Sequence, residues 1–215
     1  MMDKAAHRLI IMGAGGHGMV VADIARAMDF NDICFLDDRW PELPNVLRWP
    51  VVGKFKDLAR VLRRTDQVFA AVGDNAARLA LHRGLAMQGL NVPVLKHPTA
   101  AVSEDSQIGP GSVVMALVAV NASAVVGDAA ILNTGCSVDH DNFIEDGVHI
   151  SPGAHLAGGV SVGSCSWVGI GSSIREGITI GQDCIIGAGS VVVRDVPPAS
   201  RIAGNPARAM EKRGS

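Results

Sequence analysis

The 215-residue chain has no run of lysine or arginine, and its formal net charge is −2. Binding to nucleic acid or to an anionic membrane surface depends on concentrated positive charge, so both are excluded as partners. No apolar run is long enough to span a bilayer. The first residues, MMDKAAHRLIIMGAGG, contain a short apolar stretch that breaks into glycines, which makes them a poor signal peptide.

Cysteine is also scarce, and its spacing includes no C-x-x-C pair. The four cysteines are Cys34, Cys136, Cys165 and Cys184. Cys136 and Cys184 fall at inward positions of the repeat described next, so we interpret them as buried thiols. Free thiols are typical of a reducing compartment, and the sequence therefore predicts a cytoplasmic protein.

The sequence does contain a strict period of six between residues 102 and 192. Helices repeat their apolar residues near 3.6 and strands near 2, so a period of six fits neither. It is typical of a stacked repeat architecture. The aliphatic residues of the repeat are Val102, Ile108, Val114, Val120, Val126, Leu132, Val138, Ile144, Ile150, Leu156, Val162, Val168, Ile174, Ile180, Ile186 and Val192.

Two further regularities accompany the aliphatic residues. Four positions after each of them comes a mostly small or apolar residue, such as Cys136, Asn142 or Ser166. Glycine directly follows the aliphatic residue at six places, where we expect a corner with positive φ. These glycines are Gly109, Gly127, Gly163, Gly169, Gly181 and Gly187.

This pattern resembles the hexapeptide repeat of the left-handed β-helix acyltransferases. The resemblance implies triangular coils of three hexads, or 18 residues, with the aliphatic side chains inward. Each residue then lies above the one 18 positions earlier, at about the 4.8 Å spacing of paired strands. We expect a left-handed parallel β-helix at 98–196, with a C-terminal tail at 197–215.

Residues 1–97 are predicted to form a small Rossmann-like α/β domain with a mainly parallel sheet, which precedes the β-helix. The join is expected in KHPTA (96–100), because the hexad count begins immediately after it. Strands are predicted in RLIIMG (8–13), ICFLDD (33–38), QVFAAVGD (67–74) and NVPVL (91–95), and helices in MVVADIARAM (19–28), KFKDLARVLRR (54–64) and NAARLALHRGLAMQG (75–89).

The turn GAGGHG follows the first predicted strand and has the spacing G-x-G-x-x-G at Gly13, Gly15 and Gly18. Such a turn brings backbone N–H groups and a helix N-terminus against phosphates. Asp37 comes about twenty residues later, where an acid usually holds a ribose hydroxyl. His17 would face whatever lies beyond the phosphates.

An NAD-dependent dehydrogenase is one interpretation of this turn. We reject it because the α/β region has room for one mononucleotide half and the rest of the chain is repeat. A nucleotide-linked substrate fits better, and the alternative is a plain tight turn.

His140 stands out in the repeat because Asp139 and Asp141 flank it. It comes two residues after the inward Val138, which places it at a corner or an outer face. A neighbouring carboxylate fixes the imidazole tautomer and supports its basicity. The 18-residue coil puts Gly158 directly above His140, where its N–H would face a developing oxyanion. The alternative is a solvated surface histidine.

Four segments together resemble the N-acetyltransferases of nucleotide-linked 4-amino-sugars, whose relatives include sialic acid O-acetyltransferases. They are GAGGHG, FLDD (35–38), ILNTGCSVDHD (131–141) and GNPAR (204–208). The resemblance implies that His140 is the general base, that Asp141 orients it and that the Gly158 N–H stabilises the oxyanion. Aspartate after the histidine is more similar to the GDP-perosamine enzymes than to the UDP-bacillosamine enzymes, which tend to have glutamate there.

The same resemblance implies a homotrimer with acetyl-CoA in the groove between neighbouring prisms. The apolar outward positions Val113, Met115, Ala119, Val125 and Ile131 favour such an assembly, because an apolar exterior is usually covered by protein. The residues expected to hold acetyl-CoA are His149, Gly158, Gly204, Pro206 and Arg208. Those expected to hold the sugar nucleotide are Gly13, Gly15, His17, Gly18, Asp37 and Asp38.

His149 has two further interpretations: a polar residue at the trimer interface, or a zinc ligand as in carbonic-anhydrase-like trimers of the same fold. His149 and His155 each come five positions after an inward aliphatic residue and fall on successive faces, too far apart to share one ion within a chain. We therefore predict no metal.

The function predicted from these residues is acetyl-CoA-dependent N-acetylation of the 4-amino group of a nucleotide-linked dideoxy amino-sugar, with GDP-perosamine favoured. The amine attacks the thioester directly, for O-antigen or other surface glycan synthesis. Alternatives are a UDP-4-amino-sugar N-acetyltransferase, a sialic acid O-acetyltransferase, or a non-enzymatic nucleotide-sugar-binding module on a trimeric scaffold.

Overall fold

The computed structural model describes residues 8–210 and divides the chain into two compact units, with the boundary between Pro98 and Thr99. The first unit contains a three-stranded parallel sheet in the order β2-β1-β5. The central strand β1 (Arg8–Met12) is buried along its whole length, as a strand covered on both faces requires. It pairs with β2 (Asp32–Leu36) and β5 (Gln67–Ala70).

Helices and a hairpin complete the first unit. Helix α1 spans Gly16–Ala27, and α3 spans Asn75–Met87 with the Asp74 carboxylate accepting a hydrogen bond from the Ala77 N–H at its start. Strands β3 (Asn45–Val46) and β4 (Trp49–Pro50) form a hairpin, which the sequence did not predict. A short strand β6 spans Leu95–Lys96.

The helix predicted over 54–64 was largely wrong. The structure has a 3-10 turn at Phe55–Asp57 and a four-residue helix α2 at Leu58–Val61. Leu62 is already extended, with ψ of 132°. The Asp66 carboxylate then accepts a hydrogen bond from the Arg63 N–H at 2.8 Å, which closes a turn where a longer helix would continue.

The second unit is a parallel β-helix whose two-residue strands form three faces. Residues 18 apart pair across each face, as in Val120 with Val138 and Val126 with Ile144. The first face has β7 (Ala101–Val102), β10 (Ala119–Val120), β13 (Ser137–Val138), β16 (His155–Leu156), β19 (Ser173–Ile174) and β22 (Val191–Val192). The second has β8 (Gln107–Ile108), β11 (Val125–Val126), β14 (Phe143–Ile144), β17 (Ser161–Val162) and β20 (Thr179–Ile180). The third includes β9 (Val113–Val114), β12 (Ile131–Leu132), β15 (His149–Ile150), β18 (Trp167–Val168) and β21 (Ile185–Ile186).

The sixteen aliphatic residues point inward as predicted. All are buried except the first two, Val102 and Ile108, which are half-buried. The predicted 18-residue coil is therefore confirmed by register and by burial.

The explanation given for the glycines after the aliphatic residues was wrong. Positive φ occurs two positions later, at residues such as Leu117 and Asp141. The glycines are needed because the next coil is close: a Cβ on Gly169 would lie 2.5 Å from the Ile186 carbonyl oxygen.

The segment predicted as a tail partly extends the third face. Strand β23 (Arg201–Gly204) pairs in parallel with β21, and β24 (Ala207–Ala209) folds back antiparallel on it. Ile185 pairs with Arg201, sixteen residues on in place of eighteen, so the strict period ends in a shortened coil.

The apolar exterior predicted between residues 113 and 131 is not exposed. Val113, Met115 and Ile131 are at most 2% exposed within this single chain, and Ala119 and Val125 are half-buried. The larger exposed apolar side chains of the β-helix include Phe143, Trp167 and Ile170. Among residues 8–210, no helix combines the length and the apolar character needed to cross a membrane.

Candidate active site

His140 projects from the turn between β13 and β14, and its side chain is 61% exposed. Asp141, the next residue, has a positive φ of 57°. Its carboxylate Oδ2 lies 2.8 Å from His140 Nδ1. A carboxylate only accepts hydrogen bonds, so Nδ1 carries the proton and Nε2 keeps its lone pair. Nε2 is then the basic atom.

The carboxylates around His140 favour its protonated form. The hydrogen bond to Asp141, with the charges of Asp139 and Asp141, raises the pKa of His140 above its ordinary value, against a smaller effect of desolvation. Asp139 itself accepts hydrogen bonds from the Asn121 side chain and from the His140 backbone N–H, each at 2.8 Å. These bonds lower the pKa of Asp139 and hold the backbone of the turn.

Gly158 lies over the imidazole, as the coil arithmetic predicted. A Cβ on Gly158 would be 2.4 Å from His140 Cε1 and 2.5 Å from Nε2, so any larger residue would displace the imidazole. Among the described residues no acceptor contacts the Gly158 N–H. At comparable turn positions a side chain takes that bond, as Asn133 does for Thr134 and Glu145 does for Ser164. The side chain of the preceding Ala157 contains no hydrogen-bond acceptor, so the Gly158 N–H remains an available donor beside the His140 imidazole.

His149 occupies a different setting, on β15 of the third face. Its ring stacks on Trp167 with centroids 5.3 Å apart. Its Nε2 lies 3.1 Å from Asn133 Nδ2. Asn133 Oδ1 accepts from the Thr134 N–H, which fixes the amide orientation, so His149 Nε2 is an acceptor and Nδ1 carries the proton.

A shallow groove of about 370 Å³ runs beside His149 along the third face. Its lining is mostly apolar and includes Pro152, Trp167, Ile170 and Ala188. The Trp167 Nε1–H donates to Ser151 Oγ at 2.6 Å, which holds the indole at the groove wall. The groove therefore offers an extended apolar surface with one polar end at His149.

His155 lies on the first face, where its Nδ1 is 2.8 Å from Ser137 Oγ. His149 and His155 thus belong to different faces. Within residues 8–210, no group of three or more histidine, cysteine or acidic side chains is arranged to hold a metal ion.

The hairpin of β23 and β24 carries Gly204, Pro206 and Arg208. Gly204 has a φ of 100°, which suits glycine at the tight reversal. Arg208 is exposed and lines a cavity with Arg194, Asp195 and Arg201. Three arginines against one aspartate favour an anionic ligand there.

In the first unit, the Gly-rich turn is built by two kinds of glycine. Gly13 has a φ of 115°, and a Cβ on Gly18 would lie 2.0 Å from the Gly13 carbonyl oxygen, so both are required by the turn itself. Gly15 caps α1, and no atom lies within 4 Å of where its Cβ would be. The space over Gly15 is therefore open to a ligand. His17 lies in the first turn of α1, half-buried.

Asp37 supports this turn from the side. Its Oδ2 accepts from the Ala14 N–H at 2.8 Å, and Arg39 binds both carboxylate oxygens at 2.8 and 3.0 Å. The Arg39 hydrogen bond is the main reason that the pKa of Asp37 falls to about 2. Asp38 Oδ1 accepts from the Phe55 N–H at 3.1 Å. Both acids thus have backbone partners, and the Arg39 side chain is 59% exposed against 12% for Asp37.

Known proteins resemble this chain in sequence and in fold. The PglD N-terminal domain family matches residues 8–85. GDP-perosamine N-acetyltransferase of Escherichia coli O157:H7 is 30% identical, over 94% of this chain and 96% of that protein. PerB from Caulobacter crescentus, solved in complex with CoA and GDP-perosamine, is 40% identical with a TM-score of 0.91, covering 96% of this chain and 99% of that one. The acetyltransferase domain of PglB from Neisseria gonorrhoeae FA1090, in complex with acetyl coenzyme A, is 42% identical with a TM-score of 0.92, covering 96% and 100%.

The chain belongs to the left-handed β-helix N-acetyltransferases of nucleotide-linked amino sugars. The predicted family and fold class are confirmed, and so is the prediction of an acyltransferase with acetyl-CoA as co-substrate. The alternative of a non-enzymatic scaffold is thereby set aside.

Several residues of this N-acetyltransferase were missed from the sequence. Asn121 and Asn133 each contact a residue that was singled out, Asp139 and His149 respectively. Asn121 is 18 residues before Asp139, so the coil arithmetic contained the signal. Trp167, 18 residues after His149, could have been found in the same way. Arg39 could not be found in this way, because it lies outside the repeat and its position depends on a side-chain ion pair with Asp37.

Proposed function

We propose that this enzyme transfers the acetyl group of acetyl-CoA to the 4-amino group of GDP-perosamine, with His140 as general base. One observation carries the proposal: His140 Nε2 would lie 2.5 Å from a Cβ on Gly158, so the basic atom adjoins a residue whose N–H has no acceptor among the described residues. A base beside an oxyanion donor is what direct aminolysis of a thioester requires.

The reaction forms one bond and breaks one. The amine nitrogen attacks the thioester carbonyl carbon while His140 Nε2 takes a proton from the nitrogen. The carbonyl oxygen becomes an oxyanion and accepts a hydrogen bond from the Gly158 N–H. The C–S bond then breaks, and the imidazolium returns the proton to the CoA thiolate. Asp141 stabilises the imidazolium between these steps.

The two ligands are assigned to different parts of the chain. The groove beside His149 and Trp167 suits the thin apolar arm of acetyl-CoA, and Arg208 at the terminal hairpin suits a phosphate of that cofactor, together with Gly204 and Pro206. The open turn at Gly15 suits the diphosphate of the sugar nucleotide. The α/β domain of residues 1–97 then holds the sugar nucleotide, and the β-helix of residues 98–196 with the segment 197–215 performs the transfer.

Support for GDP-perosamine comes from the relatives that act on or bind it, which span nearly the whole chain. A direct comparison of substrates tests which nucleobase the enzyme prefers. The purified protein is given acetyl-CoA with GDP-perosamine or with a UDP-4-amino-sugar, and thiol release and product mass are followed. Faster turnover of the UDP substrate would transfer the assignment to the bacillosamine type. Acetylation of sialic acid hydroxyls alone would make it an O-acetyltransferase.

We further propose a cytoplasmic homotrimer that supplies acetylated amino sugar for O-antigen or another surface glycan. The exposed Phe143, Trp167 and Ile170 provide the apolar surface that such an assembly would cover. The four free cysteines suit a reducing compartment. Light scattering on the purified protein measures the oligomer mass, and a monomer at working concentration would contradict the trimer.

A further inference from the structure

Asn142 is the only residue with a side-chain amide that is buried in the described part of the chain, and it is 1% exposed. It occupies the inward position four residues after Val138, where other coils have residues such as Cys136 or Ser166. Its Nδ2 donates to the Asp139 carbonyl oxygen at 2.7 Å and to the Ala157 carbonyl oxygen at 3.0 Å. Both partners only accept hydrogen bonds, so the orientation of the amide is fixed.

These two carbonyls belong to peptide groups of the proposed active site. The Asp139 carbonyl shares its peptide with the N–H of His140, and the Ala157 carbonyl shares its peptide with the N–H of Gly158. In a trans peptide the C=O and N–H point in opposite directions. A donor on the Ala157 oxygen therefore turns the Gly158 N–H outward, and hydrogen bonds in series strengthen that N–H as a donor.

Serines elsewhere in the coil show what the fold alone requires. Ser112, Ser166 and Ser172 donate to the carbonyl fifteen residues on, as Asn142 does to Ala157. Ser106 and Ser190 donate to the carbonyl three residues back, as Asn142 does to Asp139. Asn142 makes both bonds, whereas one of the two is found at each of Ser106, Ser112, Ser172 and Ser190.

The amide at this position has a disadvantage for stability. Asn142 Oδ1 is buried, and among the described residues no donor reaches it. An unsatisfied buried acceptor destabilises the folded state. A serine would complete the coil without that defect, so stability alone does not explain the amide.

We infer that Asn142 is a positioning residue that joins the turn of the base to the peptide of the oxyanion donor. The inference rests on the proposed roles of His140 and Gly158. It gives Asn142 no contact with either substrate. Its NH₂ group adds to the backbone bonds that already join the two segments, from the Asp139 N–H to the Leu156 carbonyl and from the Gly159 N–H to the His140 carbonyl.

Asn142→Ser, which can restore only one of the two bonds, provides the test. We expect kcat to fall roughly 10-fold to 100-fold, less than the 10²–10³ typical for loss of an oxyanion donor. KM for both substrates and the acid limb of the pH profile should not change, because neither substrate nor the imidazole is touched. The melting temperature should not fall. Asn142→Cys, which has the residue type of Cys136 and Cys184 in the same register, is the second variant.

The matched control is Ser112→Ala, which removes the bond to the carbonyl fifteen residues on in a coil without His140. It should lower the melting temperature and leave kcat unchanged. Wild-type kcat in Asn142→Ser, or a kcat loss that only parallels thermal destabilisation as in the control, would overturn the inference. His140→Ala distinguishes failure of the proposed function from failure of the positioning role. An active His140→Ala variant would refute His140 as the general base. An inactive His140→Ala together with a fully active Asn142→Ser would refute only the positioning role of Asn142.

Discussion

A side chain on Gly158 would begin 2.4 Å from the Cε1 atom of the His140 imidazole. The contact joins two residues eighteen positions apart, one coil on from the other. The absence of a Cβ lets the imidazole lie against the Gly158 backbone, which brings the base beside that residue's N–H.

Gly158→Ala tests that contact. The methyl group would push the exposed imidazole away from the reacting position, so we expect kcat to fall by roughly 10²–10⁴, as for loss of a general base. The melting temperature should change little, because the His140 side chain is free to rotate into solvent. Steady-state kinetics and thermal unfolding on one preparation provide both numbers, and full activity would remove Gly158 from the site.

His140→Ala should lower kcat by roughly 10²–10⁴, the usual contribution of a general base. Acetyl-CoA affinity should barely change, because the imidazole acts on the amine. His155→Ala is the control, since that imidazole is also exposed but contacts the Ser137 hydroxyl in place of a carboxylate. Near-wild-type turnover in His140→Ala, or an equal loss in His155→Ala, would be incompatible with the assignment.

Asp141→Asn should reduce activity less than loss of the histidine, because it removes an orienting charge. Asparagine tolerates the positive φ at this position, so the turn should persist. The Asp141 hydrogen bond raises the pKa of His140, so its loss lowers that pKa. The base form then survives to lower pH, and the acid limb of the kcat/KM profile should move to lower pH. An unmoved limb with full activity would assign the pKa shift to Asp139.

The Gly-rich turn offers a matched pair of substitutions. A Cβ at Gly15 would have no atom within 4 Å, so Gly15→Val should raise KM for the sugar nucleotide strongly and leave the melting temperature and acetyl-CoA affinity intact. Gly18→Ala collides with the Gly13 carbonyl and should destabilise the first unit as a whole. Binding of each substrate by calorimetry, with melting curves, tells the two effects apart. Unchanged sugar-nucleotide affinity in Gly15→Val would leave the turn without a role in recognition.

The repeat made most of the β-helix and part of its site predictable. Burial of one aliphatic side chain in six fixes the register, and the register places Gly158 over His140 and Asn121 beside Asp139. These relationships depend on backbone periodicity alone. Arithmetic on residue numbers therefore found Gly158, and the same arithmetic would have found Asn121, which was missed.

Side-chain geometry and chain ends escaped the same reasoning. Asp37 lies beside the Gly-rich turn, but its two oxygens bind Ala14 and Arg39, and no spacing rule reports which partner a carboxylate chooses. The pairing of Ile185 with Arg201 broke the eighteen-residue count, because the segment 193–200 takes a shorter path to the third face. Outward-facing Val113 and Ile131 were expected to be exposed, since alternation along a strand says only which face a residue is on.

The hairpin of β23 and β24 also limits how these molecules associate. A stack of parallel strands ends in unpaired N–H and C=O groups, which form an edge where the strand of another molecule can add. On the third face that edge belongs to β24, a three-residue antiparallel strand that carries Arg208. Short, charged edges are poor templates for strand addition. The segment proposed to hold a cofactor phosphate therefore also protects this face of the coil against end-to-end polymerisation.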